Sequence, residues 1–580
     1  LDLDRQRVDP VEHIRLHAGK HELSVTSEGL PLNTLPVEPF FSSADAACRR
    51  AARTFAADRS APLPPAVRAG LLRSIADALE ARREAVIAHA AAETGLTPDE
   101  LAPEFRRMVE TFRLFAGLVA EGSWVRASVD TPVGKGAPAA IGPNHDVRSM
   151  FQPLGPVAVF GASNFPLAYG VCGGDTASAL AAGCTVIVKE HPAHPGTGRL
   201  LAEIAHDAIR ALTTQRHASP PDTEPPLWLA YLFNENERDL APAQALVTHP
   251  EIAAVGFTGS IPGGLAVSRL AAQRPRPIPV FAEMGSNNMV AVTRSALHAR
   301  GVAIAHELAD SILARFGQQC TCIGLVLLDA AADSAARSAF TTALRDRLAG
   351  APPRDMLSAK VRDTYVRRLE EAARAARNQQ EEAGTPPAVS TDRRAAARLI
   401  EIEPFGPDRL FDPRLREEIF GPACVLASAD LADAAFIDRL LNPAGHPGDS
   451  SETRVSTGDS WGRGALVASI YLESPPAPHE LRLAERVGRS VGRLAFNSVT
   501  TGVRVCRSMV HSGPYPACSR PESTAVGHLA IERWCRPVCF QNAPPELLPL
   551  QLRDDNPLAI SRTINGRFSP ARQSEPGVGA

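Results

Sequence analysis

The chain has 580 residues, of which 44% are hydrophobic, and its formal net charge is -3. A chain of this length can bury two or more cores, and its near-neutral charge gives no reason to expect nucleic acid as a partner. No apolar run reaches the ~18 residues that a membrane helix needs. We therefore expect a soluble, cytoplasmic protein with no membrane or nucleic-acid partner.

Ten cysteines are spread along the chain without the dense spacing of a disulfide framework. The nearest neighbours are Cys320 with Cys322 and Cys535 with Cys539. Such pairs usually form a zinc site only when two of them, helped by histidine, combine their ligands. We expect reduced thiols and no metal site.

The first elements predicted along the chain are helices. Residues 1–35 have a weak pattern with several prolines and are expected to form an extended lead-in. Alanine, leucine and arginine then repeat with helical spacing over Ala44 to Asp58, Ala66 to Thr94 and Pro103 to Glu121. From Trp124 to Ser149 the sequence turns polar and rich in glycine and proline, which predicts a hairpin or arm outside the core.

An alternation of strands and helices follows, and it predicts a parallel sheet with covering helices. The predicted strands are 156–160, 185–188, 228–232 and 253–257, and the predicted helices are 167–182 and 197–212. A second alternating region covers about 289–500. Segment 213–226 is predicted to be a low-complexity surface loop, and segment 441–463 is predicted to be a mobile insert.

Lys189 ends the apolar strand Thr-Val-Ile-Val-Lys and is one of only four lysines among 61 basic residues. A lysine that is kept where arginine is the rule indicates a need for a compact ammonium group. Nucleotides bind at the carboxyl ends of strands in doubly wound sheets, so Lys189 can reach a ribose or a phosphate. The alternative is a lysine that extends to solvent at a strand end.

Two glycine-containing turns also follow predicted strands. The segment Gly256-Phe-Thr-Gly-Ser-Ile-Pro-Gly-Gly264 precedes a helix, so its amide groups can approach a pyrophosphate, although ordinary turn chemistry also explains these glycines. In Phe160-Gly-Ala-Ser-Asn-Phe-Pro166, the Asn164 side-chain amide can donate a hydrogen bond to a ligand. Alone, this asparagine fits a turn or a helix cap equally well.

The candidate nucleophile is Cys320 in Gly-Gln-Gln-Cys-Thr, thirty-seven positions after Glu283 in Phe-Ala-Glu-Met-Gly-Ser-Asn. A thiol reacts as the thiolate, and its pKa of about 8.5 falls when backbone N–H groups at a helix start point at the sulfur. Helical spacing over Val302 to Phe316 and a break at Gly317 favour such a position for Cys320. The alternative is a small buried cysteine that only packs.

Taken together, these segments resemble the aldehyde dehydrogenase superfamily over about residues 46–558. The matching motifs, in the family's order, are Ser-Asn-Phe-Pro (163–166), Val-Ile-Val-Lys (186–189), Phe-Thr-Gly-Ser (257–260), Glu-Met-Gly (283–285) with Gly-Gln-Gln-Cys-Thr (317–321), and Glu-Glu-Ile-Phe-Gly-Pro (417–422). Residues 173–183, 191–197 and 511–517 are similar to the branch of α-ketoglutarate semialdehyde (2,5-dioxovalerate) dehydrogenases and NADP-dependent long-chain aldehyde dehydrogenases. The first of these two is the nearer match.

With this resemblance, we expect an α/β, aldehyde dehydrogenase-like fold with two Rossmann-type domains and a β oligomerisation arm. Residues 36–123 and 153–282 are assigned to the cofactor-binding domain, 283–505 to the catalytic domain, and 124–152 with 540–580 to the arm. Because strands in an arm need partners for their edges, we expect a homo-dimer or homo-tetramer.

The resemblance also implies a role for each matching residue. The Cys320 thiolate attacks an aldehyde, the Asn164 amide and the Cys320 N–H hold the oxyanion, and Glu283 activates the water that hydrolyses the thioester. The implied cofactor-binding residues are Lys189, Gly259, Ser260, Gly264, Glu418 and Phe420. Among them, Lys189 and Glu418 bind ribose hydroxyls, and Phe420 packs near the nicotinamide.

The resemblance bears on the cofactor as well. NAD-preferring members often carry a glutamate three residues after the strand-end lysine, and this chain has Pro192 there. We expect NADP, with NAD also usable, although Glu190 beside Lys189 can restore part of the repulsion of a 2'-phosphate.

The expected reaction is oxidation of 2,5-dioxovalerate to 2-oxoglutarate, with aliphatic aldehydes as the alternative substrates. A distal carboxylate needs a cation, and Arg315, Arg504 and Arg507 are the candidates. Arg315 and Cys322 depart from the branch pattern around the thiol, which leaves rate and substrate range open. Two other functions remain as alternative hypotheses: an acylating relative that does not hydrolyse its thioester, and a catalytically silent binding protein.

Overall fold

The computed structural model describes residues 39–132, 144–216, 226–234, 236, 239–377, 392–402, 407–441 and 464–570. The predicted lead-in 1–35 lies outside these residues, and so does most of the predicted loop 213–226 and insert 441–463. The strands are β1 (Phe40–Phe41), β2 (Ser128–Asp130), β3 (Val147–Pro153), β4 (Val157–Phe160), β5 (Val186–Lys189), β6 (Leu229–Leu232), β7 (Ala254–Thr258), β8 (Val280–Glu283), β9 (Asn288–Val292), β10 (Ile323–Asp329), β11 (Arg354–Asp355), β12 (Arg394–Ala395), β13 (Arg398–Glu401), β14 (Ala423–Ala429), β15 (Ala465–Tyr471), β16 (Val491–Phe496), β17 (Cys535–Gln541), β18 (Arg562–Ile564) and β19 (Arg567–Ser569).

The α-helices connect these strands and cover their sheets. They are α1 (Ala44–Ser60), α2 (Pro65–Ala81), α3 (Arg83–Thr94), α4 (Pro98–Glu121), α5 (Gly174–Ala182), α6 (Pro195–Arg216), α7 (Ala241–Thr248), α8 (Ile261–Ala272), α9 (Arg294–Leu313), α10 (Ser334–Ala349), α11 (Ala359–Ala376), α12 (Pro413–Arg416), α13 (Ala434–Leu441) and α14 (Pro478–Gly488).

The first sheet is parallel, with the strand order β1-β6-β5-β4-β7-β8. Alternate residues of β4 enter two different cores, because successive side chains on a strand point to opposite faces. Val157 and Val159 pack with α2, α4, α5 and α6, whereas Ala158 packs with α1, α7 and α8. Helices therefore cover both faces, as the predicted alternation of strands and helices requires.

The second sheet is also parallel, with the order β13-β14-β10-β9-β15-β16. Its central strand β9 divides its residues in the same way. Val290 and Val292 pack with α9 and α10, whereas Met289 and Ala291 pack with α11, α13 and α14. Two doubly wound sheets thus confirm the predicted α/β class.

A third sheet has the order β17-β3-β2-β18-β19. Strand β3 pairs antiparallel with β2 on one side and, over seven residues, with β17 on the other. Residues far apart in sequence therefore share this sheet, which has its own apolar cluster that includes Val129, Met150 and Leu552. The short strands β11 and β12 form a separate antiparallel pair.

Three predicted helix boundaries are wrong. The predicted helix 66–94 is two helices, because Arg82 leaves the helical conformation between α2 and α3. The predicted helix 103–121 begins earlier, at Pro98, since Thr97 and Glu100 form a reciprocal capping box there. The predicted helix 167–182 begins only at Gly174, because the amide groups of residues 167 and 168 donate to the Glu104 carboxylate instead.

Along the described residues, no helix is both long enough and apolar enough to cross a membrane. In the same ranges, no three His, Cys, Asp or Glu side chains are grouped so that they could share a metal ion.

Candidate active site

The carboxyl edge of the first sheet brings together most of the predicted site residues. Asn164 follows β4, Lys189 ends β5, Gly259 follows β7 and Glu283 ends β8. These four strands are adjacent and parallel, so their carboxyl ends lie along one edge. The Gly259 amide also donates to the Glu283 carbonyl oxygen at 3.0 Å, which ties the glycine turn to the predicted base.

The thiol turn connects this edge to the second sheet. Cys320 lies between a 3₁₀ turn at Ala314–Gly317 and strand β10, so the predicted position at the start of a helix is wrong. The turn is instead held by Asn288, whose side-chain amide donates to the carbonyl oxygens of Cys320 (2.8 Å) and Cys322 (2.9 Å). Asn288 is fully buried at the start of β9, a few residues after Glu283.

The backbone before the thiol takes an uncommon conformation. Arg315 and Phe316 have φ values of 50° and 54°, in the left-handed region that non-glycine residues rarely adopt. Gly317 has φ of 67° and packs so closely on the Gly421 backbone that any side chain at Gly317 would overlap it. The nucleophile motif and the motif at 417–422 therefore meet backbone to backbone.

Arg315 stabilises this conformation through a buried ion pair. Its guanidinium donates to the Glu104 carboxylate at 2.8 Å and to the carbonyl oxygens of Asn164 (2.6 Å) and Glu100 (3.0 Å). It also lies 4.3 Å from the centroid of the Phe165 ring. Arg315 thus connects α4, the Asn164 loop and the thiol turn, and it is not free to bind the carboxylate of a substrate.

His511 lies between the thiol and the predicted base. Its Nε2 is 3.7 Å from the Cys320 Sγ and 3.3 Å from Glu283 Oε2. The segment that starts at His511 is fixed, since the His511 amide donates to Thr524 Oγ1 and the Ser519 amide donates to the Ala282 carbonyl oxygen in β8. A thiol, an imidazole and a carboxyl group therefore form a continuous chain of contacts.

Burial shifts the protonation of all three groups toward their neutral forms. Burial, with the charges of Glu283 and Glu418, raises the pKa of the Cys320 thiol to about 12. Burial raises the pKa of Glu283 to about 8 and lowers the pKa of His511 to about 3. Burial thus favours the protonated thiol, so its proton must leave during attack. The imidazole contacts the thiol, and the Glu283 carboxyl group contacts the imidazole.

The other predicted residues around the thiol lie on different sides of it. The Asn164 side-chain amide donates to the Gln318 carbonyl oxygen at 3.0 Å, so it faces the thiol turn. The Glu418 carboxyl group lies against Gly285, and burial raises its pKa to about 8. Phe420 is half-buried and packs against the core of the first sheet.

The cofactor edge has the features that a dinucleotide needs. Lys189 is half-buried, and burial lowers its pKa. Ser260 caps helix α8 by accepting from the Gly263 amide at 3.3 Å, so the helix N-terminus faces the turn after β7. Gly264 is buried against Met284, where a larger residue would separate α8 from the sheet. An amide-lined helix start beside a lysine fits a pyrophosphate.

Sequence reasoning missed several residues of this site. His511 opens the segment 511–517 that carried part of the resemblance, so its position in that motif was a usable signal. Asn288 follows the motif of Glu283 and was equally visible. Arg107 and Arg493, whose charges interact with that of the thiol, lie in no recognisable motif. Of the predicted carboxylate-binding arginines, Arg504 is exposed and Arg507 pairs with Glu121 at the surface.

The doubly wound sheets and the contacts from thiol through imidazole to carboxyl group fit an enzyme that has a cysteine nucleophile and a nucleotide cofactor, and comparison with known proteins identifies its family. The model of the aldehyde dehydrogenase family matches residues 41–439. The alpha-ketoglutaric semialdehyde dehydrogenase 2 of Azospirillum brasilense is 40% identical over 546 residues, covering 93% of this chain and 95% of that protein. The alpha-ketoglutaric semialdehyde dehydrogenase of Acinetobacter baylyi is 37% identical over 503 residues, covering 86% of each chain.

The chain belongs to the aldehyde dehydrogenase family, and it is an NAD(P)-dependent aldehyde dehydrogenase. The predicted resemblance is thereby confirmed. Among solved structures, betaine aldehyde dehydrogenase from Staphylococcus aureus in complex with NAD+ has a TM-score of 0.66 at 17% identity, covering 86% of this chain and 88% of that one. This likeness confirms the predicted aldehyde dehydrogenase-like fold.

Proposed function

We propose that this enzyme oxidises 2,5-dioxovalerate to 2-oxoglutarate with NAD(P), through a thioester on Cys320. The names of the two relatives support the substrate, since both match most of this chain. The observation that carries the chemistry is the chain of contacts from the Cys320 Sγ through His511 to Glu283. It provides a nucleophile, a path for its proton and a base in one place.

The first step forms a bond between the Cys320 Sγ and the aldehyde carbon. The thiol proton passes to the Glu283 carboxylate through His511 Nε2, which contacts both groups. The oxygen that becomes negative is held by the Asn164 side-chain amide and the Cys320 N–H, and each such donor lowers the barrier by about 3 kcal/mol. When bound, the oxidised nicotinamide supplies the acceptor for the hydride that leaves the same carbon.

The second step is hydrolysis of the thioester. Before this step, Glu283 releases the thiol proton to solvent and is a carboxylate again. It then removes a proton from water while the water oxygen bonds to the acyl carbon. The carbon–sulfur bond breaks, Glu283 returns this proton to the leaving sulfur through His511, and the acid and the thiol are released. With a pKa raised to about 8, this carboxyl group is a stronger base than an exposed glutamate but is mostly protonated at lower pH. Activity is therefore expected to rise with pH through about 8.

NADP is proposed as the preferred cofactor, and the surroundings of Glu190 support this. Its carboxylate is buried, accepts from the Tyr231 hydroxyl at 3.1 Å and pairs with Arg199 at 3.4 Å. Glu190 therefore points into the protein, and its charge is largely offset there. Pro192 is exposed where NAD-preferring members often carry a glutamate, so neither position supplies a carboxylate that would repel a 2'-phosphate.

The division into a cofactor domain, a catalytic domain and an arm, and assembly into a homo-dimer or homo-tetramer in the cytoplasm, are part of the same proposal. The five-stranded sheet supports the arm, although its strand β17 begins at Cys535, before the proposed boundary at 540. The exposed side chains of Leu547 and Phe568 beside this sheet offer apolar surface to a second copy.

The test measures reduced nicotinamide and the acid product with 2,5-dioxovalerate, pentanal and a medium-chain alkanal, each with NADP and with NAD. We expect the kcat/KM for 2,5-dioxovalerate to exceed that for pentanal by about tenfold or more. Cys320→Ala supplies the blank and should form no product.

Three outcomes would contradict the proposal. A preference for the medium-chain alkanal would favour an aliphatic aldehyde dehydrogenase. A requirement for coenzyme A or phosphate would indicate an acylating enzyme. Unchanged turnover by Cys320→Ala would exclude the thioester route.

A further inference from the structure

We propose that Arg107 and Arg493 form an anion subsite in the wall of the catalytic cleft and bind the distal carboxylate of the substrate. The inference rests on the proposed function, because it takes oxidation at Cys320 as given. It names the substrate class as aldehydes that carry a carboxylate at the other end of a short chain. Neither arginine was a candidate in the sequence.

Arg107 reaches the cleft from helix α4 by way of Tyr169. Its guanidinium donates to the Tyr169 hydroxyl at 2.8 Å and lies 4.9 Å from the centroid of that ring. The Tyr169 ring in turn lies 6.3 Å from the His511 ring, which contacts the Cys320 Sγ. The Tyr169 hydroxyl accepts from one guanidinium nitrogen of Arg107, and within the part of the chain that the structure describes no other acceptor bonds to its remaining N–H groups.

Arg493 reaches the cleft from strand β16 of the second sheet. Its guanidinium donates to the carbonyl oxygens of Gly502 (2.7 Å) and Thr500. Thr500 in turn donates from its hydroxyl to the carbonyl oxygen of Thr321, the residue after the nucleophile. The preceding strand residue, Gly492, packs directly on the backbone of residue 512, next to His511.

The charges of the two arginines act on the catalytic groups and on each other. Both cations help to lower the pKa of His511, and Arg107 also opposes the rise in the pKa of Cys320. Burial lowers the pKa of Arg493, and the charge of Arg107 adds to this effect. Two like charges therefore act on one imidazole, and a carboxylate bound by both of them would offset their repulsion.

The absence of a built-in counter-ion separates this pair from other buried arginines. Within the described residues, neither Arg107 nor Arg493 lies within ion-pair distance of an Asp or Glu. Arg315 and Arg533, by contrast, each form a buried pair, with Glu104 and Asp175 respectively, at 2.8 and 2.7 Å. Burying a guanidinium without such a partner costs free energy, and a ligand that supplies the anion offsets this cost.

A short substrate places its carboxylate near the thiol. In 2,5-dioxovalerate, the carboxylate carbon is about 5 Å from the aldehyde carbon when the chain is extended. The carboxylate must therefore bind close to the nucleophile, where Arg107 and Arg493 influence its charge. The exposed Arg504 and the surface-paired Arg507 do not meet this requirement.

The experiment compares matched aldehydes with and without the carboxylate in Arg107→Gln and Arg493→Gln. The pairs are 2,5-dioxovalerate with pentanal and succinic semialdehyde with butanal, and Arg507→Gln is the matched control. A charged hydrogen bond contributes a factor of about 10 to 100. We expect each variant to lower the ratio of kcat/KM, charged over uncharged aldehyde, by about tenfold or more, mainly through KM, while Arg507→Gln leaves the ratio unchanged.

A second measurement does not depend on turnover. Glutarate should slow alkylation of Cys320 by iodoacetamide in the wild-type enzyme and protect each variant at least about tenfold less well. The subsite would be overturned if the variants lost kcat/KM equally on charged and uncharged aldehydes. It would also be overturned if both the kcat/KM ratios and the protection of Cys320 by glutarate stayed as in the wild type. If the wild type ignores 2,5-dioxovalerate but the ratio for succinic semialdehyde over butanal falls in the variants, the subsite stands and the proposed substrate is wrong.

Discussion

Two groups of polar side chains adjoin the segment 163–169, and they differ in the number and length of their hydrogen bonds. In the first group, the support cluster, Arg315 donates to three oxygen atoms, and Glu104 accepts from Arg315 and from two backbone amides. In the second, the reaction cluster of Cys320, His511 and Glu283, the contacts are longer, at 3.7 and 3.3 Å.

The difference distinguishes charges that hold the protein together from groups that react. In the support cluster, full bonding offsets the cost of burying two charged side chains. In the reaction cluster, burial without sufficient compensation shifts Glu283 and His511 toward neutral forms. A group whose pKa lies near the working pH can exchange a proton, whereas a fully bonded ion pair cannot easily do so.

The largest expected effect is the loss of the base in the reaction cluster. Glu283→Gln should lower kcat by about 10³-fold, because general base catalysis contributes about 10²- to 10⁴-fold. In the wild type, kcat should rise between pH 6 and 9, since the active carboxylate forms as pH increases through its pKa of about 8. The pH profile of the residual activity should be flat in this variant. A preserved inflection near 8 would assign it to another group.

The next effect breaks the support cluster. Arg315→Met leaves the Glu104 carboxylate buried without its partner, which typically costs about 3 to 5 kcal/mol in the free energy of unfolding. Urea denaturation should show this loss, and kcat should fall equally for charged and uncharged aldehydes because the Asn164 loop loses its anchor. The control is Arg113→Gln, which breaks an exposed ion pair with Glu110 on α4, the helix that carries Glu104. It should lower the free energy of unfolding by less than about 1 kcal/mol.

A double variant sharpens this test. Adding Glu104→Gln to Arg315→Met removes the unpaired charge, so part of the lost stability should return. If the double variant is as unstable as the sum of the two single variants, the pair is not coupled and the support cluster is misassigned.

A smaller effect is expected when the proton path is interrupted. His511→Gln should lower kcat by about 10- to 100-fold while the urea midpoint stays near that of the wild type, because glutamine keeps a polar group at the position but cannot relay a proton. His298→Gln is a suitable control, since His298 pairs with Asp333 at the surface. Unchanged turnover by His511→Gln would show that the thiol proton leaves by another route.

The smallest effect concerns the cofactor edge, where Glu190 is bonded as fully as the support cluster. Pro192→Glu should lower the ratio of kcat/KM for NADP over NAD by about tenfold, because it places an exposed carboxylate near the 2'-phosphate. Glu190→Gln should leave that ratio almost unaltered, since this carboxylate already pairs with Arg199. A larger shift from Glu190→Gln than from Pro192→Glu would contradict this arrangement.

The sequence allowed prediction of the features that follow from local pattern and chain order. Strand-end positions such as Lys189 and Glu283 were predictable, because parallel strands bring their carboxyl ends to one edge. The capping box at Thr97 is also a local pattern, although the helix was predicted to start at Pro103 rather than at Pro98.

What the sequence could not provide are contacts set by tertiary packing. The thiol turn is not at a helix start, because it is held from distant segments by Asn288, which bonds to Cys320, and by Glu104, which pairs with Arg315. Arg107 on helix α4 and Arg493 on strand β16 lie 386 positions apart, so nothing in their spacing predicts that both influence His511. The motifs therefore predicted which side chains react, but they did not predict which distant side chains contact or pair with them.

The segment that carries His511 has a consequence for the order in which activity arises during synthesis. Met284 and Glu283 bond to residues 517 and 518, and β17 pairs with β3. The segment from His511 onward therefore completes the reaction cluster around a nucleophile that is synthesised much earlier. A nascent or truncated chain that ends before His511 carries Cys320 and Glu283 without the imidazole that joins them. The nucleophile and its base are thus synthesised first, and the proton path between them is completed only when this later segment has folded against β8.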